Sequence, residues 1–104
     1  MVRARITKRA LTDIDLIWDY VAVHNRSAAD RLVDRLGRLF KRLARMPRLG
    51  ECYSHPIPGM RYFTHGAYVV VYQELDDGIR VLCVAHSARD WQTMIDTMED
   101  LGLD

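Results

Sequence analysis

The apolar positions of this chain follow two different periods. In residues 58–90 they run almost without a break. Residues 68–75 read YVVVYQEL, Asp76, Asp77 and Gly78 interrupt, and residues 79–86 read IRVLCVAH. An Asp-Gly pair between two β-branched and aromatic runs predicts a β-hairpin, since a type I′ turn takes positive φ at both central residues. Residues 60–63, ending at Thr64-His65-Gly66-Ala67, predict a third antiparallel strand ahead of it. Alternation puts Val69, Val71 and Leu75 opposite Tyr68, Val70 and Tyr72 in one strand. In the next it puts Ile79, Val81, Cys83 and Ala85 opposite Leu82 and Val84. All these sets are apolar, whereas a sheet with one wet face alternates apolar with polar. Both faces are therefore expected to be covered, by the chain or by a partner.

The first half has a helical period instead. Residues 2–6, VRARI, alternate as a short strand would. Thr7 is the expected N-cap of a helix whose Ala10, Ile14, Ile17, Trp18 and Val21 share one face, ending near His24-Asn25. Ser27 is expected to cap a second helix, with Asp30 three residues on in a capping-box-like position. Ala29, Leu32, Val33, Leu36, Leu39, Phe40 and Leu43 make its apolar face, and Pro47 limits its end. The short link predicts an antiparallel αα-hairpin, with Trp18 and Phe40 in the helix–sheet core. Residues 46–58 read as a loop with room for a short edge strand. Trp91, Met94, Ile95 and Met98 stand at helical spacing, compatible with a short C-terminal helix before an acidic tail expected to fray. The expectation is an α+β fold of two layers, β-α-α-β-β-β: an N-terminal strand, then an αα-hairpin packed on a small, mainly antiparallel sheet.

Length and composition narrow the class. A chain of 104 residues supports one modest core, so residues 1–104 are expected to form one domain. No run of about eighteen apolar residues spans a membrane, and MVRARITKRAL lacks the apolar region of a signal peptide. Cys52 and Cys83 form neither a metal nor a disulfide framework, so a reduced, cytoplasmic setting is expected. The net charge of +1 hides an asymmetry. Residues 26–48 hold eight basic and two acidic residues, while residues 73–104 hold two basic and eight acidic ones. Within the second helix Arg31, Arg35, Arg38, Arg42 and Arg45 fall within about 80° of arc at about 100° per residue. Such a stripe is either a solvated face or a docking surface for an acidic segment or a nucleic-acid backbone.

Catalytic signatures are missing: no P-loop, GxGxxG, HExxH or CxxC pair occurs. His24, His55, His65 and His86 lack metal-ligand spacing, and Ser27, Ser54 and Ser87 lack a nucleophile-elbow context. No metal and no cofactor is expected. Arg61, in an otherwise apolar strand, needs a partner: either a structural acid or a bound anion. His86, at a strand end, is either structural or a proton-transfer group.

Taken together the residues resemble the RelE/ParE toxin superfamily of type II toxin–antitoxin systems, its ParE branch best. The likeness lies in the element order, in Ala10, Asp15-Leu16, Ile17 and Tyr20 of the first helix, and in the Pro47…Gly50 loop entry. It continues through Pro58-Gly59-x-Arg61, Tyr68-x-Val70-x-Tyr72, and Val81-Leu82 leading to His86-x-x-Arg89-Asp90. The resemblance implies a small cytoplasmic toxin held inactive by a cognate antitoxin. The antitoxin is expected on the arginine stripe (Arg31, Arg35, Arg38, Arg42, Arg45) and on a free sheet face with Tyr68, Val70 and Tyr72. RelE-like members cut mRNA on the ribosome without a metal, with several Lys/Arg plus Tyr, His or Glu. Such chemistry needs cations for a pentacovalent phosphate and a group to move the 2′-hydroxyl proton. Here no lysine follows Lys41, and only Arg61, Arg80 and Arg89 follow Arg48. ParE-like members poison DNA gyrase by protein contact, which fits better and requires no catalytic residue. That contact is expected at Arg89, Trp91, Met94 and Met98. The alternatives are a RelE-like ribonuclease using Arg61 and His86, and a non-catalytic binding module of the same fold.

Overall fold

The computed structural model describes residues 2–54 and 57–97. The alternating N-terminus forms β1, Arg3–Ile6. Thr7 follows in extended geometry, and its hydroxyl oxygen accepts from the Ala10 N–H at 3.1 Å, starting α1, Lys8–Ala22. The second cap is Asn25, not Ser27: its side-chain oxygen accepts from the Ala28 N–H at 3.0 Å and opens α2, Arg26–Arg45. Asparagine caps as well as serine, so the helix begins at the first residue able to start it. A 3-10 turn at Pro47–Leu49 leads to β2 (Glu51–Cys52), β3 (Met60–His65), β4 (Tyr68–Leu75), β5 (Gly78–His86) and α3 (Trp91–Thr97).

The sheet order is β1-β5-β4-β3-β2, with β1 parallel to β5 and the remaining pairs antiparallel. The αα-hairpin lies on one face, as the two-layer α+β reading expects. The β4–β5 turn is not type I′, because neither Asp76 nor Asp77 has positive φ. Gly78 is required for another reason: its φ is 143°, and a Cβ there would sit 1.9 Å from the Arg3 carbonyl oxygen. Glycine therefore lets β1 lie against β5. At the β3–β4 turn Gly66 has φ 58° and Ala67 does not go positive, the pattern of a type II′ hairpin.

A β-bulge changes the facing of β5. Val71 pairs with Cys83 but Tyr72 pairs with Val81, so Leu82 is an extra residue. Strict alternation consequently fails at this point. Ile79, Val81 and Val84 face the helices with Val70, Tyr72, Leu36, Phe40 and Leu43. Leu82, Cys83 and Ala85 join Met60, Val69 and Val71 on the opposite face. That second face is closed by the chain itself: Trp91 and Ile95 of α3 cover it, with Tyr53, Ile57 and Tyr62 alongside. The Trp91 ring lies 5.0 Å from that of Tyr62 and 5.4 Å from that of Tyr53. The Tyr53 hydroxyl donates to Asp96 Oδ1 at 2.9 Å, and burial followed by that bond raises its pKa to about 12. Phe40 is buried as expected, but Trp18 is not in the core. It is partly exposed at the seam of the hairpin, where its Nε1–H donates to Asp30 Oδ1 at 2.8 Å and its ring faces Arg26 at 6.0 Å.

Candidate functional site

Arg61 is a structural cation. Its guanidinium donates to the Gly50 carbonyl at 2.8 Å and lies 3.8 Å from Glu74. Gly50 in turn donates its N–H to the Tyr72 hydroxyl at 2.9 Å, and that hydroxyl donates to the Pro47 carbonyl at 2.6 Å. A Cβ on Gly50 would fall 2.3 Å from the same hydroxyl. Tyr72, Arg61 and Gly50 thus lock the loop after α2 onto the sheet. Desolvation is the main reason the Tyr72 phenol is raised above its ordinary pKa.

His86 is elsewhere. It pairs with Tyr68, the neighbour of His65, whereas Arg61 shares Tyr72 as a neighbour with Val81. The two are four residues apart along the strands, about 13 Å, and two strand spacings apart across them, about 10 Å. They cannot meet on one phosphate. The His86 Nδ1 accepts from the Ala88 N–H at 3.0 Å, which puts the ring proton on Nε2, and the ring meets Tyr68 edge-on at 5.5 Å.

His86 borders a cleft of about 530 Å³ between α1 and the upper ends of β4 and β5, lined also by Asp13, Leu16, Ile17, Tyr20, Tyr68, Val84 and Arg89. β1 stops at the level of Val81, so the outer edge of β5 beyond it carries no strand. Asp13 supplies one substitute, accepting the Val84 N–H on Oδ2 at 3.0 Å. The α1 wall continues into an exposed apolar row: Leu16 is 61% exposed, Tyr20 75% and Val23 79%. These stand at i, i+4 and i+7, on the flank away from the buried Ala10 and the partly buried Ile14, Ile17 and Val21. The sequence reading missed this row as a surface because it assigned the helix a single apolar stripe; the spacing itself was visible.

Arg31, Arg35, Arg38, Arg42 and Arg45, five of the six arginines of α2, are all exposed, and none of the five is in an ion pair or side-chain hydrogen bond among the described residues. Arg35, Arg38 and Arg42 form one wall of a groove of about 390 Å³ whose other wall is Phe63, Thr64, His65 and Gly66. The rest of the expected antitoxin surface is corrected. Val70 and Tyr72 face the helices and are fully buried, so they offer no surface to a partner. Tyr68 alone of the three is partly open, in the α1 cleft. On the expected target surface Arg89 is exposed and Met94 partly so, but Trp91 is 6% exposed and packed into the sheet, so it is no surface anchor. Met98 lies outside the described residues. Among the described residues no group of His, Cys, Asp and Glu could hold a metal ion, and no helix is long and apolar enough to cross a membrane.

Among solved structures, the chain is similar to the chromosomal ParDE toxin–antitoxin system from P. aeruginosa. The TM-score is 0.67 at 22% identity, covering 83% of this chain and 96% of that one. It is also similar to the RelBE2 toxin–antitoxin complex from Mycobacterium tuberculosis, with TM-score 0.59 at 22% identity, covering 82% and 96%. No curated protein sequence matches it. The family model described as the ParE toxin of the type II toxin–antitoxin system parDE matches residues 4–91, from the first strand through the start of α3, and the chain therefore belongs to the ParE toxin family.

Proposed function

We infer that the protein is a cytoplasmic toxin that poisons DNA gyrase by protein contact and is neutralised by a cognate antitoxin. The observation that carries the choice of target is the state of Arg61. The cation that a phosphate-cleaving site would use is bonded to Gly50 and Glu74, and His86 stands far from it along the sheet. A transition state needs both kinds of group within reach of one phosphate. A protein contact needs neither. Arg89, exposed, and Met94, partly exposed, beside a Trp91 that packs α3 on the sheet, are the proposed target surface.

The antitoxin is assigned to the α1 cleft. Leu16, Tyr20 and Val23 form an apolar row next to an open strand edge, which suits a segment able to bury apolar side chains and pair its backbone. Both similar solved structures contain toxin–antitoxin systems. The target is tested with purified toxin, freed of antitoxin, assayed for gyrase supercoiling and separately on translating ribosomes. Gyrase-dependent DNA breaks with intact mRNA are expected. Codon-linked mRNA cuts that vanish in a folded Arg61→Ala or His86→Ala variant, with gyrase unaffected, would overturn the reading in favour of the ribonuclease. No growth arrest on expression without antitoxin would favour the silent binding module.

A further inference from the structure

The arginine face of α2 takes no part in the surfaces assigned above. Its steps of four and three residues advance about 6 and 4.5 Å, so the five guanidiniums extend along about 21 Å of helix. The two acids of α2, Asp30 and Asp34, lie to one flank of the row, and Asp30 is engaged by Trp18. What this face lacks is as telling. The large exposed apolar residues lie on α1, near β1 and at Met46, none of them on α2. Leu39 is buried and Phe63 half-buried at the groove floor. A protein interface draws its energy from apolar and aromatic anchors surrounded by polar contacts, and no such anchors stand out here.

We propose that the arginine face of α2, with its groove against the β3–β4 turn, binds the sugar–phosphate backbone of duplex DNA without reading sequence. Arginine presents a planar fork of donors that matches phosphate oxygens. Counting both strands, the duplex carries a phosphate per about 1.7 Å of axis, about twelve along about 21 Å, of which about half face any one side, a number comparable to the five arginines. The opposite face of α2 is in the core, which leaves the arginines free to lie along a backbone while the helix stays out of the depth of a groove. A single strand would call for exposed aromatic rings on which to stack bases, and α2 presents none. The sequence reading placed these arginines against an antitoxin; an acidic protein segment is the competing occupant.

The probe is a fluorescein-labelled 20-base-pair DNA duplex of arbitrary sequence, titrated with the full chain by anisotropy. Five phosphate contacts predict a log Kobs against log salt slope of about −4.5, or about 500-fold weaker binding between about 50 and 200 mM salt. The Arg35→Ala/Arg38→Ala/Arg42→Ala triple variant should reduce the slope to about −1.8, with unchanged circular dichroism and melting, since all three side chains are exposed. Arg3→Ala/Arg5→Ala on β1 removes two cations elsewhere and should leave the slope unchanged. The proposal fails if the triple variant keeps the full slope or if the β1 variant loses as much of it. It also fails if single-stranded RNA binds tighter than the duplex, or if a poly-glutamate peptide of equal charge displaces the duplex at equimolar concentration. It does not rest on the gyrase reading: the chain can fail to bind DNA alone and still inhibit gyrase, or the reverse.

Discussion

Single residues in α1 and α2 show what period alone can settle. With Ala10 as origin, Ile14, Ile17 and Val21 lie within about 40° of it around the helix, whereas Trp18 stands about 80° away. Its indole N–H also needs an acceptor when covered, and Asp30 supplies one at the hairpin seam. Trp18 therefore sits at the edge of the stripe, bonded and half-wet, while Phe40 fills the centre. Phe40→Ala should cost about 3–5 kcal/mol. Trp18→Ala should cost about 1–2 kcal/mol, the scale of one hydrogen bond and partial packing. Urea denaturation of both variants checks this, and equal losses would return Trp18 to the core. The same limit explains the stripe of arginines. Spacing shows that they share a face, but that they lack partners among the described residues depends on side-chain positions no periodicity reports.

At the scale of elements, the strands and both long helices were legible because their runs are long and strongly patterned. The facing of β5 was not: Leu82 is an extra residue in an apolar run, and an insertion there leaves no mark on the pattern. That Val70 and Tyr72 are covered by the helices was not legible for a related reason. Tyr68, Val70 and Tyr72 share a face correctly, but nothing in β4 says which face the αα-hairpin takes. Pairing of β1 with β5 is equally nonlocal, and Gly78 is its one local trace. α3 supplies a prediction because it seals the second face over Cys83. Burial, with Asp13 adding to it, pushes that thiol from 9.0 up to about 12, and Tyr53 rises from 10.0 to about 12. Both folded values lie above the unfolded ones, so both contributions are complete below pH 9. As pH rises past 9 the unfolded chain ionises its cysteine while the folded chain does not, and stability falls. Tyr53 joins above pH 10, with Tyr62 and Tyr72 shifting the same way. Urea midpoints measured from pH 8 to 11 should decline, and Cys83→Ala should flatten the decline between pH 9 and 10. An unchanged decline there would mean that the thiol is open to water.

Across the whole molecule, the two long helices turn different chemistry outward. α1 presents Leu16 and Tyr20, with Val23 just past its end; α2 presents a row of five arginines on one face and no large exposed apolar side chain. Apolar burial contributes about 25 cal/mol per Å² before association costs, so tight, salt-tolerant binding belongs to α1. Charge on an exposed helix acts through rate and salt dependence, so salt-sensitive binding belongs to α2. If the antitoxin takes the first and DNA the second, the two can be separated by substitution. An antitoxin that binds only the folded chain should raise its stability by about 4 kcal/mol at about 1,000 times Kd. Tyr20→Glu puts a charge in the apolar row at an exposed site, where the fold itself should change by about 0.5 kcal/mol or less. It should nevertheless remove most of that stabilisation, while leaving the salt slope for duplex DNA intact. The arginine triple variant should do the opposite, keeping the antitoxin-induced shift in Tm at 150 mM salt and losing the DNA slope. Thermal melts with and without antitoxin, run beside the DNA titrations, give both readings on the same preparations. A triple variant that loses the antitoxin shift, with Tyr20→Glu retaining it, would move the antitoxin from α1 to α2 and take the DNA assignment with it.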